Sequence, residues 1–430
     1  MKQKSLLFFV VLLAVVLLVN LISSFFFFRI DLTSDKRYTI SAATEQLLSK
    51  IEDEVSVVVY LDGELPSGFK RLRTSVEEQL AAFSAQTGGK IAYSFADPSQ
   101  ISDPKARNKF YTELAGKGIQ PTNLFNKQQG GGKTERIIFP GALVSYKGKE
   151  VPVSLLKGTK GTSPEQILNQ SVENTEYELA DAIRKLTVTQ KPQIGILAGH
   201  GEPADIQLYD LITSLQSYYD VFRVPIALVP DSSLKNLDAL LVIRPDTAYS
   251  ETDKYKIDQF VVNGGKVLFF LDALKIGEIS ENGTLAMPQA LNLEDLLFRY
   301  GVRLNQNMVK DLVSARIPMV TGNTGNQTQT QAMEYRYFPI VNTFAKHPIT
   351  RNLDILYFKY ASSIDTVKAK NIVKTPLFFT SPYSKILNAP VMVSYNDARR
   401  DPDPKTFKQG NIPLAYLLEG SFHSLFANRI

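Results

Sequence analysis

The longest apolar run in the chain is Ser5 to Phe28, SLLFFVVLLAVVLLVNLISSFFFF, 24 residues without a charge. As a helix it rises about 36 Å, more than a hydrocarbon core of about 30 Å requires. The run predicts a transmembrane helix over 5–28. A signal peptide has a shorter apolar core of about 7–15 residues and ends at small side chains. This run ends in four phenylalanines and Arg29, so an uncleaved anchor is expected. Lys2 and Lys4 place the short N-terminus inside and the rest of the chain outside the cytoplasm, although Arg29, Lys36 and Arg37 dilute that signal.

Past the anchor the pattern turns globular. Leu47, Leu48 and Ile51 form the stripe of a helix over 41–51, with Ser41 as its cap, and Val55 to Leu61 is a β-branched strand. Phe69, Leu72, Val76, Leu80 and Phe83 recur at intervals of 3, 4, 4 and 3, the signature of an amphipathic helix ending at Gly88-Gly89. A strand over 90–96, a helix over 104–117, a strand over 136–139, a hairpin over 142–146 and 150–154, and one helix over 164–186 follow. This succession, which contains a β-α-β-α-β-β-α order, predicts a thioredoxin-like domain over 29–190. The chain has no cysteine, so that scaffold carries no redox pair.

Lys191-Pro192 marks the domain boundary. Beyond it, short apolar strands alternate with helices: strands over 193–198, 220–224, 239–243 and 266–272, and helices over 204–217, 251–262 and 291–302. Later strands are expected at 375–380 and 412–418. The alternation predicts a doubly wound, Rossmann-like parallel sheet over 191–430. Two polar stretches lack periodicity: Met319 to Met333 reads as a mobile insertion or long loop, and Asp397 to Gln409, with two Asp-Pro steps, as another.

Composition narrows the chemistry. A net charge of +5 spread over 430 residues, with no basic run, argues against a nucleic-acid groove. The lack of cysteine excludes thiolate catalysis and zinc–thiolate sites, and fits an extracytoplasmic domain free of stray disulfides. Gly130-Gly-Gly-Lys133 is not a phosphate loop, because Lys127 stands where the first glycine belongs and a strand follows. No Walker pattern is present, so the chain carries no nucleotide-hydrolysis signature. Gly420-Ser421 lacks the second glycine of a nucleophile elbow.

Ligands of open α/β sheets gather beyond the carboxyl ends of the strands. There the strand positions put His200 and Glu202 of the Gly-His-Gly-Glu turn, Asp246 and Asp272. These four form a candidate ligand crevice for a small polar solute. The plainer reading is a tight glycine turn whose acids cap neighbouring helices. No catalytic residue, metal site or cofactor is assigned.

The stretch Asp31-Leu-Thr-Ser-Asp-Lys-Arg-Tyr-Thr-Ile-Ser41, between an apolar N-terminal helix and a Val-rich strand, resembles the GldG family. The Gly-His-Gly-Glu turn, Gly264-Gly-Lys-Val-Leu-Phe-Phe-Leu-Asp272 and the ending YLLEGSFHSLFANR extend the resemblance over nearly the whole chain. GldG-like proteins are accessory subunits of an ABC-transporter-like complex associated with gliding motility in Bacteroidetes. The resemblance implies a second domain of amidotransferase-like fold, related also to a domain of an intraflagellar transport subunit. Without cysteine, amidotransferase chemistry fails. It further implies a non-enzymatic subunit in the inner membrane, anchored through 5–28 with its bulk in the periplasm and partnered by an ABC permease and a cytoplasmic ATPase. A membrane-tethered binding protein for a solute or glycan is the alternative. Members of the family continue past the FANR stretch into a second membrane helix, so the expectation here is either a truncated C-terminus or one that differs from the family's.

Overall fold

The computed structural model describes residues 40–127, 133–157, 163–188, 190–280, 282–324, 327–351 and 353–427. The expected transmembrane helix over 5–28 lies outside them, as do residues 128–132 of the loop tip that the sequence places at 128–133. Among the described residues no helix is long and apolar enough to cross a membrane. The chain forms two compact units, 1–190 and 191–430.

In the first unit, α1 (Ala42–Leu48) is capped by Ser41, whose Oγ accepts from the Thr44 amide. Ser41 also donates its own amide to Glu176 Oε1 at 2.9 Å, tying the start of α1 to the unit's last helix. Then come β1 (Val55–Val59), α2 (Ser67–Gln86), β2 (Ile91–Phe95), α3 (Pro104–Gly116), β3 (Thr122–Lys127), β4 (Lys133–Ile138), β5 (Gly141–Tyr146), β6 (Lys149–Ser154), α4 (Pro164–Glu173) and α5 (Thr175–Thr187). The sheet runs β2-β1-β5-β6, with β1 and β2 parallel and the other pairs antiparallel. β3 and β4 form a separate hairpin. Val55, Val57 and Val59 alternate inward and meet Phe69, Leu72, Val76, Leu80 and Phe83 of α2 in one core.

The single helix expected over 164–186 is two helices that meet at Asn174. Hydroxyls around the joint bond back into the helix: Ser171 Oγ donates to Ile167 O and Thr175 Oγ1 to Ser171 O. Such back-bonding competes with the regular ladder and bends it. Apolar spacing alone carries no sign of that break.

The second unit opens with β7 (Gln193–Ala198), α6 (Tyr209–Gln216), β8 (Asp220–Pro225), α7 (Asp231–Leu234), β9 (Ala239–Ile243), α8 (Glu251–Val262) and β10 (Lys266–Phe270), and α9 (Glu294–Tyr300) follows later. The sheet order is β10-β9-β7-β8, every pair parallel. From β7 the chain steps to β8 on one side and returns to β9 on the other, so its direction reverses between β7 and β9. Ile194, Ile196, Leu241 and Ile243 face α6. Leu197, Leu240 and Val242 face α8 and α9 through Ile257, Phe260 and Leu296. The helix expected over 204–217 begins only at Tyr209, because residues 204–208 form a turn closed by Gln207 N and Leu208 N donating to Ala204 O. The one expected over 291–302 is α9, which stops at Gly301 with φ +104°.

Beyond β10 the chain is dominated by antiparallel pairs. Thr343–Phe344, Ile372–Phe379 and Pro413–Gly420 make a three-stranded sheet, and Asn307–Asp311 pairs with Ser384–Asn388. The expected loop over 319–333 belongs to a long hairpin of strands Ser314–Thr324 and Gln327–Val341. Past Met319 both faces of the ribbon meet solvent, so hydrophobic alternation had nothing to record. The expected loop over 397–409 contains 3-10 turns at Tyr395–Arg399 and Pro404–Thr406. It is pinned by Asp397, whose Oδ2 accepts from the Tyr337 hydroxyl at 2.7 Å and lies 3.5 Å from Lys310 Nζ. Polar side chains order this segment, where composition suggested motion.

Candidate site at the carboxyl edge of the parallel sheet

The chain leaves β7 through Gly199 at φ +117°, His200 and Gly201 at φ +76°. His200 O accepts from the amides of Asp246 at 2.9 Å and Thr247 at 3.1 Å. The loops after β7 and β9 are thus joined at the point where the sheet order reverses, the place where open α/β sheets take ligands. Gly201 is required there: a Cβ at that position would stand 1.6 Å from Asp246 Oδ1.

Beneath the joined loops lies a buried polar cluster. His200 is 6% exposed and its ring stacks on Tyr249, with centroids 3.8 Å apart and planes 17° apart. Its amide donates to Glu202 Oε2 at 2.7 Å, and its Nε2 lies 3.3 Å from Asp253 Oδ2. Tyr249 donates its hydroxyl to Glu202 Oε1 at 2.8 Å. Burial, reinforced by the negative charge of Glu202, drives that hydroxyl far above the ordinary tyrosine range, so it stays a donor. Lys256 Nζ lies 3.6 Å from Asp253 Oδ1 and donates to Ile226 O at 2.7 Å. His200 Nδ1 is buried without a hydrogen-bond partner.

Of the four residues expected to line a crevice, the fold brings His200 and Glu202 together. Asp246 joins them through its backbone amide and its packing on Gly201. Asp272 does not join them: it accepts from Arg244 Nε at 3.0 Å in a solvent-exposed pair. Arg244 sits at φ +45° and donates its amide to Phe270 O, which turns the chain sharply off β9. Asp272 instead borders a small cleft shared with Leu291, Leu297 and Arg303. Among the described residues no three His, Asp or Glu side chains converge as a metal cage.

Tyr249, Asp253 and Lys256 were not singled out by sequence, and two of them come from α8. Ser250 caps that helix, its Oγ accepting from the Asp253 amide at 3.1 Å. Four of its charged side chains are buried, and each reaches a different segment. Asp253 faces His200, and Lys256 holds the end of β8. Lys254 donates to Asn292 Oδ1 and Asp295 at 3.1 Å and pairs with Glu251 at 2.8 Å. Asp258, fully buried, accepts from Tyr300 Oη at 2.9 Å, Ser424 Oγ at 2.5 Å and the Leu425 amide at 3.0 Å. The sequence signal for this role is faint: five charges of both signs between Ser250 and Phe260 in a helix short of apolar residues.

A sequence profile of a family described as an ABC-type uncharacterized transport system matches residues 191–430, and a domain of unknown function matches 34–145. An uncharacterized protein of Borreliella burgdorferi is 23% identical over 415 residues, spanning 94% of this chain and 74% of the relative. Among solved structures, the mmIFT52 N-terminal domain aligns at TM-score 0.31 and 15% identity, covering 46% of this chain and 77% of that one. A ThuA-like protein from Bacteroides uniformis aligns at TM-score 0.30 and 12% identity, covering 55% and 84%. Structural likeness at that level carries no argument; the sequence match over the whole second unit does, and by it the chain belongs to the ABC-type uncharacterized transport system family.

Proposed function

We propose that the protein is a non-enzymatic accessory subunit of an ABC transport system, held in the inner membrane by residues 5–28 with both units on the periplasmic face. An ABC permease and a cytoplasmic ATPase are its partners. The observation that carries this reading is the family match over 191–430. The geometry of the sheet edge agrees with it, since the switch point is closed by hydrogen bonds from Asp246 and Thr247 to His200 O. The β2-β1-β5-β6 order supports a thioredoxin-like first unit, and the parallel β10-β9-β7-β8 order a Rossmann-like, amidotransferase-like second one. Gliding motility is the process that the GldG resemblance proposes. Co-isolation tests the reading: the tagged full-length chain, extracted in mild detergent, is expected to bring a multi-spanning permease and an ATPase with it. Recovery without either contradicts it.

One observation favours a second reading, a tethered solute- or glycan-binding protein. His200 Nδ1 is buried at the sheet edge without a hydrogen bond, 3.9 Å from Glu202 Oε1, which leaves a polar atom whose hydrogen bond a ligand could supply. That reading expects soluble glycans to raise the melting temperature of wild type but not of a His200→Ala, Glu202→Ala variant. Equal melting temperatures with and without glycan exclude it.

A further inference from the structure

Helix α8 holds two polar contacts that belong to different ends of the second unit. Near its start, Asp253 and Lys256 secure the loops after β7 and β8. Near its end, Asp258 secures the segment 422–426, which crosses α8 and α9 as a strap. Phe422 packs edge-on to Tyr300 at 4.9 Å, and Phe426 to Tyr255 at 5.3 Å. Ser424 Oγ donates to Asp258 and accepts from the Phe426 amide at 3.0 Å. Asp253 and Asp258 lie about 7.5 Å apart along one rigid helix, so an axial or rolling shift of that helix moves both contacts together.

We propose that α8 is a conformational relay. With the strap seated on Asp258, the helix presents Asp253 to His200 and the Gly199–Pro203 loop stays closed over the switch point. With the strap lifted, α8 shifts and the loop opens the crevice between β7 and β9. The physical basis is that Asp258 is a buried carboxylate held by neutral donors. Losing the Ser424 and Leu425 donors leaves the buried carboxylate with Tyr300 Oη at 2.9 Å and Gln259 Nε2 at 3.2 Å alone, under-satisfied for a group out of water. The helix then relaxes toward solvent, and the Asp253–His200 contact goes with it. This inference rests on contacts inside the second unit and stands independently of the transport association.

Hydrogen–deuterium exchange of the full-length protein in mild detergent tests it, comparing wild type with Ser424→Ala and Phe426→Ala. Exchange is expected to rise about 5-fold or more at 199–203 as well as at 422–427, the size of an ordinary allosteric coupling. Coupling is reciprocal, so His200→Gln is expected to raise exchange at 422–427. Faster exchange confined to 422–427 in the strap variants overturns the relay. Should Ser424→Ala unfold the unit, the milder Phe426→Ala decides on the same readout. Exchange raised uniformly across 191–427 in both variants also counts against the relay, because the effect is then global unfolding.

Discussion

Helices α2 and α8 each lie against a sheet, but they are held there by opposite means. α2 buries five apolar side chains in one stripe, from Phe69 to Phe83. α8 buries Asp253, Lys254, Lys256 and Asp258 beside Ile257 and Phe260. The first is a packing element, fastened by apolar area removed from water. The second gathers loops: each buried charge catches a segment that is distant in sequence, from His200 to Ser424. Apolar contacts tolerate changes of shape, whereas a buried hydrogen-bonded charge fails when one partner goes. The two helices therefore differ in what breaks them.

The largest expected effect is at α8. Asp258→Ala strands the donors on Tyr300, Ser424 and Leu425, and urea unfolding should show a loss of about 3 kcal/mol or more. A loss below about 1 kcal/mol would mean the strap is not held there. Gly201→Ala, which drives a Cβ into Asp246 at a positive φ, should cost about 2 kcal/mol. Adding Asp246→Ala should recover part of that in a double-mutant cycle; strict additivity would disconnect the two loops. Tyr249→Phe removes one donor to buried Glu202 and should cost about 1–2 kcal/mol.

Asp311 extends the contrast to pH. It is fully buried and accepts from Ser381 and Val313, yet burial still pushes its carboxyl above the ordinary range. The native state then binds a proton more readily than the unfolded chain. Its contribution to stability is greatest below the unfolded value and declines as pH rises through the window up to the raised one. Asp311→Asn should flatten that decline in urea titrations run across the window; parallel curves for the two proteins would show that Asp311 is not its source. The smallest effect belongs to α2, where Leu80→Met should cost less than about 1.5 kcal/mol in a thermal melt.

The same contrast explains how much could be read from the chain. The stripe of α2 names its own buried residues, because apolar spacing and burial follow one rule. The limits of α8 over 251–262 match the expected helix, which Gly264-Gly265 ends. Its inward charges are not legible, because their partners at 200, 226, 295 and 424 are fixed only once the sheet is formed. The Gly-His-Gly-Glu turn announced a special loop through its glycines, and His200 and Glu202 do meet. Asp272 shared their place at a strand end but not their contacts, since the turn at Arg244 carries it to a separate surface pair. The long hairpin over 314–341 and the pinned segment after Asp397 escaped notice for a related reason. The outer part of the hairpin past Met319 and the pinned segment are ordered by backbone pairing or by single polar contacts, and neither leaves a hydrophobic period.

Native mass spectrometry of the detergent-extracted full-length protein tests the central claim most directly, because it weighs the intact assembly. The account predicts a particle in which this chain is bound to a multi-spanning permease and an ATPase in a fixed ratio. A particle containing this chain alone, or this chain with only a small polar solute, would contradict it.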